Sequence, residues 1–465
     1  MLTRARRRRL SLKPSGVKKS LEINNILEKN ETDELVTWGR RHLIHYREYT
    51  STILKEGKGA VLLDTAGRKY LDFMSGASSI NVGYGEERVK EAIKEQLSGI
   101  STITGSFLSS PVVRLARLLA EITPTGLSRS FFTCTGSQAT ELAMQTARRY
   151  TGKLKIISRH GGYHGNTPGS MGASGCALYK RAFDPVVHGF VRILPPYCYR
   201  CDFGQEYPDC NIECARAFEN AIIYEWPETV AAIIGEPIIG GGGVVIPPNE
   251  YWKAIRRTCD EYGVQLIMDE IITGFGRTGK MFCCEHYGVV PDIMAIAKGI
   301  ASCYVPLSGV LTTDEIALAM EDYETGNYYS TYQNHPLSCA TALANLRVII
   351  EDGLVERSAC QGEYMLKALR DLTEELDVLD DARGKGLLLG VEVVKNKESK
   401  EPDPDLGMKI KRKAFDMGLI VGLSKIRMKN AIINIMAPPL TTTKEEIDEG
   451  LEIYRSAVRG AMNEA

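Results

Sequence analysis

No stretch of this chain is apolar for the ~18 residues a membrane-crossing helix needs, so a spanning protein is not expected. Charge imbalance is missing as well: 57 Lys and Arg stand against 58 Asp and Glu, a net charge of −1. Bulk electrostatics therefore make no case for nucleic acid. The exception is local. Arg4 and Arg6, Arg7, Arg8 and Arg9, then Lys13, Lys18 and Lys19, come before the first acid, Glu22. Without an apolar core this run is no secretory signal. Like charges that nothing nearby can bury are expected to form a solvated basic tail over 1–35. Internal repeats are missing too.

Disulfide spacing is also largely missing. The 12 cysteines are scattered, which fits a reducing cytoplasm. One group differs: Cys198-x2-Cys201-x8-Cys210-x3-Cys214, in a segment of turn residues with little periodicity. It has the form of a closed four-thiolate zinc site, of two disulfides, or of a loop with reduced thiols packed on the core. Each reading is structural, the reduced loop is the simplest, and no metal is assigned.

What the chain does have is the composition of an α/β protein, 44% hydrophobic with 44 glycines. Its organising stretch is 263–302. Two short apolar runs there, 264–268 and 293–297, read as buried parallel strands. The first ends in Asp269-Glu270 and the second in Lys298. In such sheets, ligand-handling residues sit at the carboxyl ends of strands, so a carboxylate and an amine are expected to face one cleft. Two readings stand side by side. One is a structural ion pair at a sheet edge. The other is a pyridoxal phosphate site, where the lysine condenses with the aldehyde and the acid keeps the ring nitrogen protonated.

Taken in order, residues 60–63 and 69–73 form a hairpin with a turn at 64–67. Helices are expected at 85–98 and 111–121. A strand at 130–134, the turn Thr135-Gly136-Ser137-Gln138 and a helix from Ala139 make an anion cradle, since free N–H groups and the helix dipole meet there. After a strand at 155–158 comes Gly161-Gly162-Tyr163-His164-Gly165. Glycines let Tyr163 lie against a flat ring there, although such tyrosines and histidines are commonly plain loop residues. Strand and helix alternate over 130–310, which implies a parallel, doubly wound sheet. The domain plan that follows has four parts: the tail at 1–35, an arm and hairpin at 36–74, a large domain at 75–340 and a small one at 341–465. The arm is expected to pack with the small domain.

From Arg41 onward these pieces resemble the class III aminotransferases, which are fold-type I pyridoxal phosphate enzymes. DEIITGFGRTGKMF and PDIMAIAKGI carry the resemblance most specifically. It implies an α/β fold with a large, mainly parallel sheet and a smaller α+β domain. It also implies Lys298 as the Schiff-base lysine and Asp269 as partner of the pyridine nitrogen. Gly136 and Ser137 would hold the phosphate, and Tyr163 would stack on the ring. Thr331 would reach the phosphate of a neighbouring subunit, hence a homodimer or a tetramer.

Within the family the chain is most similar to 2,2-dialkylglycine decarboxylase, yet the residues for that reaction do not carry over. Ala77 replaces a glutamine, Ile272 a glutamine, His335 an aspartate, Tyr163 a tryptophan, and Gln138 the family's phosphate-turn glutamate. Ile435 replaces the arginine that clasps the substrate carboxylate. Losing such a pair costs on the order of 2–5 kcal/mol, and Arg427 or Lys429 could supply a cation instead. Ala77 and Arg427 are therefore the candidate substrate contacts. Transamination between a primary amine or amino acid and a keto acid is the first expectation. A lyase eliminating ammonia or phosphate from a small anionic amine is the alternative, with racemisation and decarboxylation below it.

Overall fold

The computed structural model describes residues 32–44, 50–181, 183, 187–321, 328–426 and 431–464. Residues 1–31 of the tail, with all of its basic run, and the loop holding Arg427 and Lys429 lie outside the described residues, while 32–35 belong to a helix. The chain divides into two units: Met1–Lys55 with Asp64–Gly67, and Glu56–Leu63 with Arg68–Ala465. In the first, the helix Thr32–His42 begins at Thr32, whose hydroxyl meets that of Thr65 at 2.6 Å.

Strands β1 (Leu54–Lys58), β2 (Val61–Asp64) and β3 (Lys69–Asp72) belong to a four-stranded sheet. The central sheet has seven: β4 (Arg129–Thr133), β5 (Lys155–Arg159), β6 (Phe190–Ile193), β7 (Val230–Gly235), β8 (Gln265–Asp269), β9 (Ile293–Ile296) and β10 (Ser308–Thr312), in the order β4-β10-β9-β8-β7-β5-β6. β5 to β9 run parallel. β10 is antiparallel to both its neighbours, so the sheet is mainly parallel, as expected, with β10 the strand that reverses. The reason is the connection. Between β9 and β10 there is only the short 3-10 turn Lys298–Ile300, not the crossover helix that a parallel return requires.

Alternation along these strands shows why they are apolar throughout. Ile156, Ile234, Ile267 and Ile293 pack on one face, against Ala139, Ala143 and Ala147 of the helix Gly136–Thr151. Their neighbours Ile157, Ile233, Leu266 and Met294 pack on the other face, with Phe218, Trp252 and Ile255 from two further helices. Both faces are covered, as a parallel sheet demands. Each fully buried isoleucine contributes roughly 1.5–3 kcal/mol.

The third sheet is formed by β11 (Leu379–Lys385), β12 (Leu388–Val393), β14 (Gly422–Ile426) and β15 (Ala431–Met436), all antiparallel, in the order β11-β12-β15-β14. The short β13 (Leu419–Ile420) pairs with β3 instead. Sequence periodicity gave no sign of β6 or β11. β6 is only half-buried along its length, and β11 is largely polar with an irregular register at Asp380 to Arg383.

Candidate active site

Three adjacent strands of the central sheet, β7, β8 and β9, lead at their carboxyl ends to Glu236, Asp269 and Lys298. Strand parity decides which way each acid faces. Glu236 and Asp269 follow Ile234 and Ile267 at two-residue spacing, so both turn toward the helix Gly136–Thr151. Glu270 has the opposite parity. It accepts hydrogen bonds from Thr273 Oγ1 and from Cys284 N at 2.7 Å, and burial pushes its carboxyl up to about 7. Of the Asp269-Glu270 pair, then, only Asp269 serves the lysine's side.

Asp269 is 1% exposed. Its Oδ1 accepts from Ile271 N at 3.1 Å, and its Oδ2 lies 2.7 Å from His164 Nδ1. His164 is itself fixed: its N–H donates to Ser174 Oγ at 2.8 Å, and its carbonyl accepts from Thr140 Oγ1 at 2.5 Å. Sequence reasoning left His164 as a loop residue. Its only signal was its place directly after the ring-stacking candidate Tyr163. Glu236 was missed as well. Its Oε1 accepts from Tyr163 N at 3.0 Å and its Oε2 from Gly240 N at 2.9 Å, so one buried carboxylate joins the tyrosine turn to the Gly240–Gly243 loop. Burial raises its pKa.

Lys298 opens the 3-10 turn with a left-handed φ of 48°. Its Nζ donates to Ala77 O at 3.1 Å. Loss of water lowers its pKa; Cys303, Glu236 and Asp269 pull the other way. The Ala77 carbonyl is aimed by an unusual turn. Ser75, Gly76, Ala77 and Ser78 all have positive φ, from 40° to 79°. Such a conformation costs about 1–2 kcal/mol for each residue with a Cβ. It is held by Asp72, which accepts from Met74 N at 2.8 Å and Gly76 N at 3.2 Å, and by Ser75 Oγ on Ala437 O at 2.6 Å. Nothing in the sequence SGAS announced this strain.

The anion cradle forms where expected. Thr135 caps the helix, accepting from Gln138 N at 3.3 Å, while Gln138 Oε1 accepts from Thr135 N at 3.2 Å. That reciprocal cap gives Gln138 a structural part. It leaves the first-turn N–H groups of Gly136 and Ser137 without helical acceptors. Ser137 Oγ exchanges hydrogen bonds with Asn166, at 3.1 Å to Oδ1 and 3.2 Å from N. A Cβ on Gly136 would stand 2.9 Å from the Ile271 side chain, and one on Gly165 2.6 Å from Ser137 Oγ. Tyr163 is partly exposed and meets Tyr179 edge-on at 5.0 Å. Thr331 is different: it sits on an exposed turn ahead of the helix Pro336–Glu351 and makes none of these contacts.

A half-buried amine of lowered pKa, a buried carboxylate held by an imidazole, and an anion cradle one helix away together fit pyridoxal phosphate. The family described as Aminotransferase class-III matches residues 44–458. The chain belongs to this family. It is 37% identical to an aminotransferase of Bacillus subtilis, YhxA, over 90% of this chain and 93% of that one. It is 36% identical to the leucine/methionine racemase of Thermococcus litoralis, over 88% and 91%. Among solved structures, an (S)-enantioselective omega-transaminase from Thermomicrobium roseum superposes with a TM-score of 0.87 at 37% identity, covering 93% of this chain and all of that one. The class III chain is thus a pyridoxal phosphate-dependent aminotransferase of fold type I, and the family match favours transamination over elimination. No helix among the described residues is long and apolar enough to cross a membrane.

Proposed function

We propose that this class III aminotransferase takes its amino group from a primary amine whose reacting carbon needs no carboxylate, and passes it to a keto acid. Ile435 carries this reading. It is 4% exposed in β15, paired with Gly390 on one side and Gly422 on the other. A Cβ on Gly422 would fall 3.1 Å from that of Ile435 and 2.4 Å from Met74 Sδ. An apolar side chain therefore packs behind the turn that carries Ala77, at the place where the family resemblance implies a carboxylate-binding arginine. The buried Arg277 and the half-buried Arg383 are engaged elsewhere. Arg277 donates to Leu387 O at 3.0 Å and Asn81 Oδ1 at 2.9 Å. Arg383 donates to Glu392 Oε1 at 2.9 Å and Val244 O at 2.8 Å.

In this reading Lys298 holds the cofactor and then moves the proton at the substrate carbon, aided by the lowered pKa that leaves more of its amine neutral. Bound pyridoxal phosphate supplies the electron sink. Asp269, steadied by His164, keeps the ring nitrogen protonated. Gly136 and Ser137 take the phosphate, Tyr163 covers the ring, and Ala77 borders the substrate. Arg427 meets the carboxylate of the keto acid. The exposure of Thr331, with Leu108 86%, Tyr329 74% and Phe107 65% exposed, supports a homodimer in which Thr331 completes the partner's phosphate site. All 12 cysteines are free, in keeping with a cytoplasmic enzyme. Residues 75–340 are assigned as the cofactor-binding domain and 341–465 as the small domain.

The test is a donor panel on the holoenzyme with pyruvate as acceptor. Arylalkyl amines are expected to outpace α-amino acids, and to yield ketone beyond about one equivalent per active site only while pyruvate is present. Faster turnover of α-amino acids, or racemisation of them without any acceptor, would overturn the reading.

A further inference from the structure

The segment 194–212 joins β6 to the helix Glu213–Tyr224 with only the 3-10 turn Cys198–Arg200 inside it. Irregular stretches of this length are uncommon in compact domains and need a function or a brace. Its hydroxyls reach across to the third sheet: Tyr197 donates to Glu392, and Tyr199 to Asp380 at 2.7 Å. Along it stand Cys198, Cys201 and Cys210, with Cys214 in the first turn of the helix that follows.

All four thiols line one cavity of about 20 Å³, with Pro195, Phe203 and Pro248 among its apolar walls. That space holds about one water-sized sphere, so an ion fits and a substrate does not. None of the four is in a disulfide. We propose that Cys198, Cys201, Cys210 and Cys214 form a closed structural site for one zinc ion, which braces the 194–212 segment.

The spacing, two close pairs separated by a longer loop, is that of structural four-thiolate zinc sites. Four sulfurs lining so small a space are a donor set that a zinc ion takes up as their protons leave. Among the described residues no three metal-ligating side chains already stand at ligand separation. Closure therefore takes χ1 rotations, and one rotamer step moves a cysteine sulfur by roughly 3 Å. On binding, four S–H bonds are replaced by four Zn–S bonds and four protons pass to solvent, with no change of oxidation state. The site touches none of the residues assigned to the cofactor.

Elemental analysis of the holoenzyme, purified without chelator from zinc-replete cells, is expected to give about one zinc per chain. Cobalt substitution is expected to produce intense thiolate-to-metal absorption. The double variant C201S/C214S should lose the metal and melt at a lower temperature while keeping its cofactor and its turnover per bound cofactor. If that variant does not fold, C198S, at the exposed position, should release zinc faster to a chromophoric chelator. Fewer than about one zinc per ten chains, zinc that survives the substitutions, or peptide mapping that finds these cysteines disulfide-bonded would each overturn the proposal.

Discussion

The two sides of the active site are built on different principles. On the side of the central sheet, Asp269, Glu236 and Ser137 each make two hydrogen bonds. Asp269 is held by His164 and Ile271, Glu236 by Tyr163 and Gly240, Ser137 twice by Asn166. On the side of the third sheet, the position proposed to face the substrate is an isoleucine between two glycines. Polar groups that must hold one geometry in a water-poor site are expensive to leave unmatched, so the first side has little freedom to vary. An apolar wall has no such obligation, and a single residue there resets which substrate end is welcome.

This contrast can be broken most severely at Lys298. K298A removes the group proposed both to attach the cofactor and to act as base, and turnover with any donor should fall by at least about 10³-fold. D269A should cost on the order of 10²–10³ in kcat, in the range of losing a buried charge-stabilising group. Cofactor content, read by absorbance, separates lost binding from lost chemistry. On the other wall, I435R is expected to sharpen the comparison by reversing preference. α-Amino acid donors should gain about 10–10³-fold relative to carboxylate-free amines, and an unchanged ratio in the donor panel would refute the role given to Ile435. H164A should be milder, about 10-fold in kcat, because it removes one hydrogen bond to a carboxylate that keeps another.

The smallest effect concerns pH. In the proposed mechanism the free amine of Lys298 is the active form, so activity is expected to fall as pH drops through its pKa. Since loss of water lowers that pKa, the acid limb should lie well below the ~10.4 of free lysine. The negative charge of Glu236 favours the ammonium form, so E236Q should move the limb to still lower pH. A limb moving upward in the pH profile would contradict the electrostatics described above.

Much of the central sheet was legible because its strands are short apolar runs closed by functional residues, as at Asp269 and Lys298. Periodicity could not reveal β10's direction, which depends on how little chain links it to β9. Partners across the fold were equally invisible. His164 lies 105 positions from Asp269 in the chain, and no local pattern marks it as the residue that fixes the acid. The left-handed turn at Ser75 to Ser78 escaped for a different reason. Its strain is supported by Asp72 and by Ala437, and sequence displays the residues without the bonds that hold them.

One measurement tests the central account most directly: ketone released when the holoenzyme meets an arylalkyl amine with no keto acid present. The account predicts release that stops at about one equivalent per active site and resumes when pyruvate is added, as a reaction in two halves requires. Continued release without an acceptor, or none at all before or after pyruvate, would contradict it.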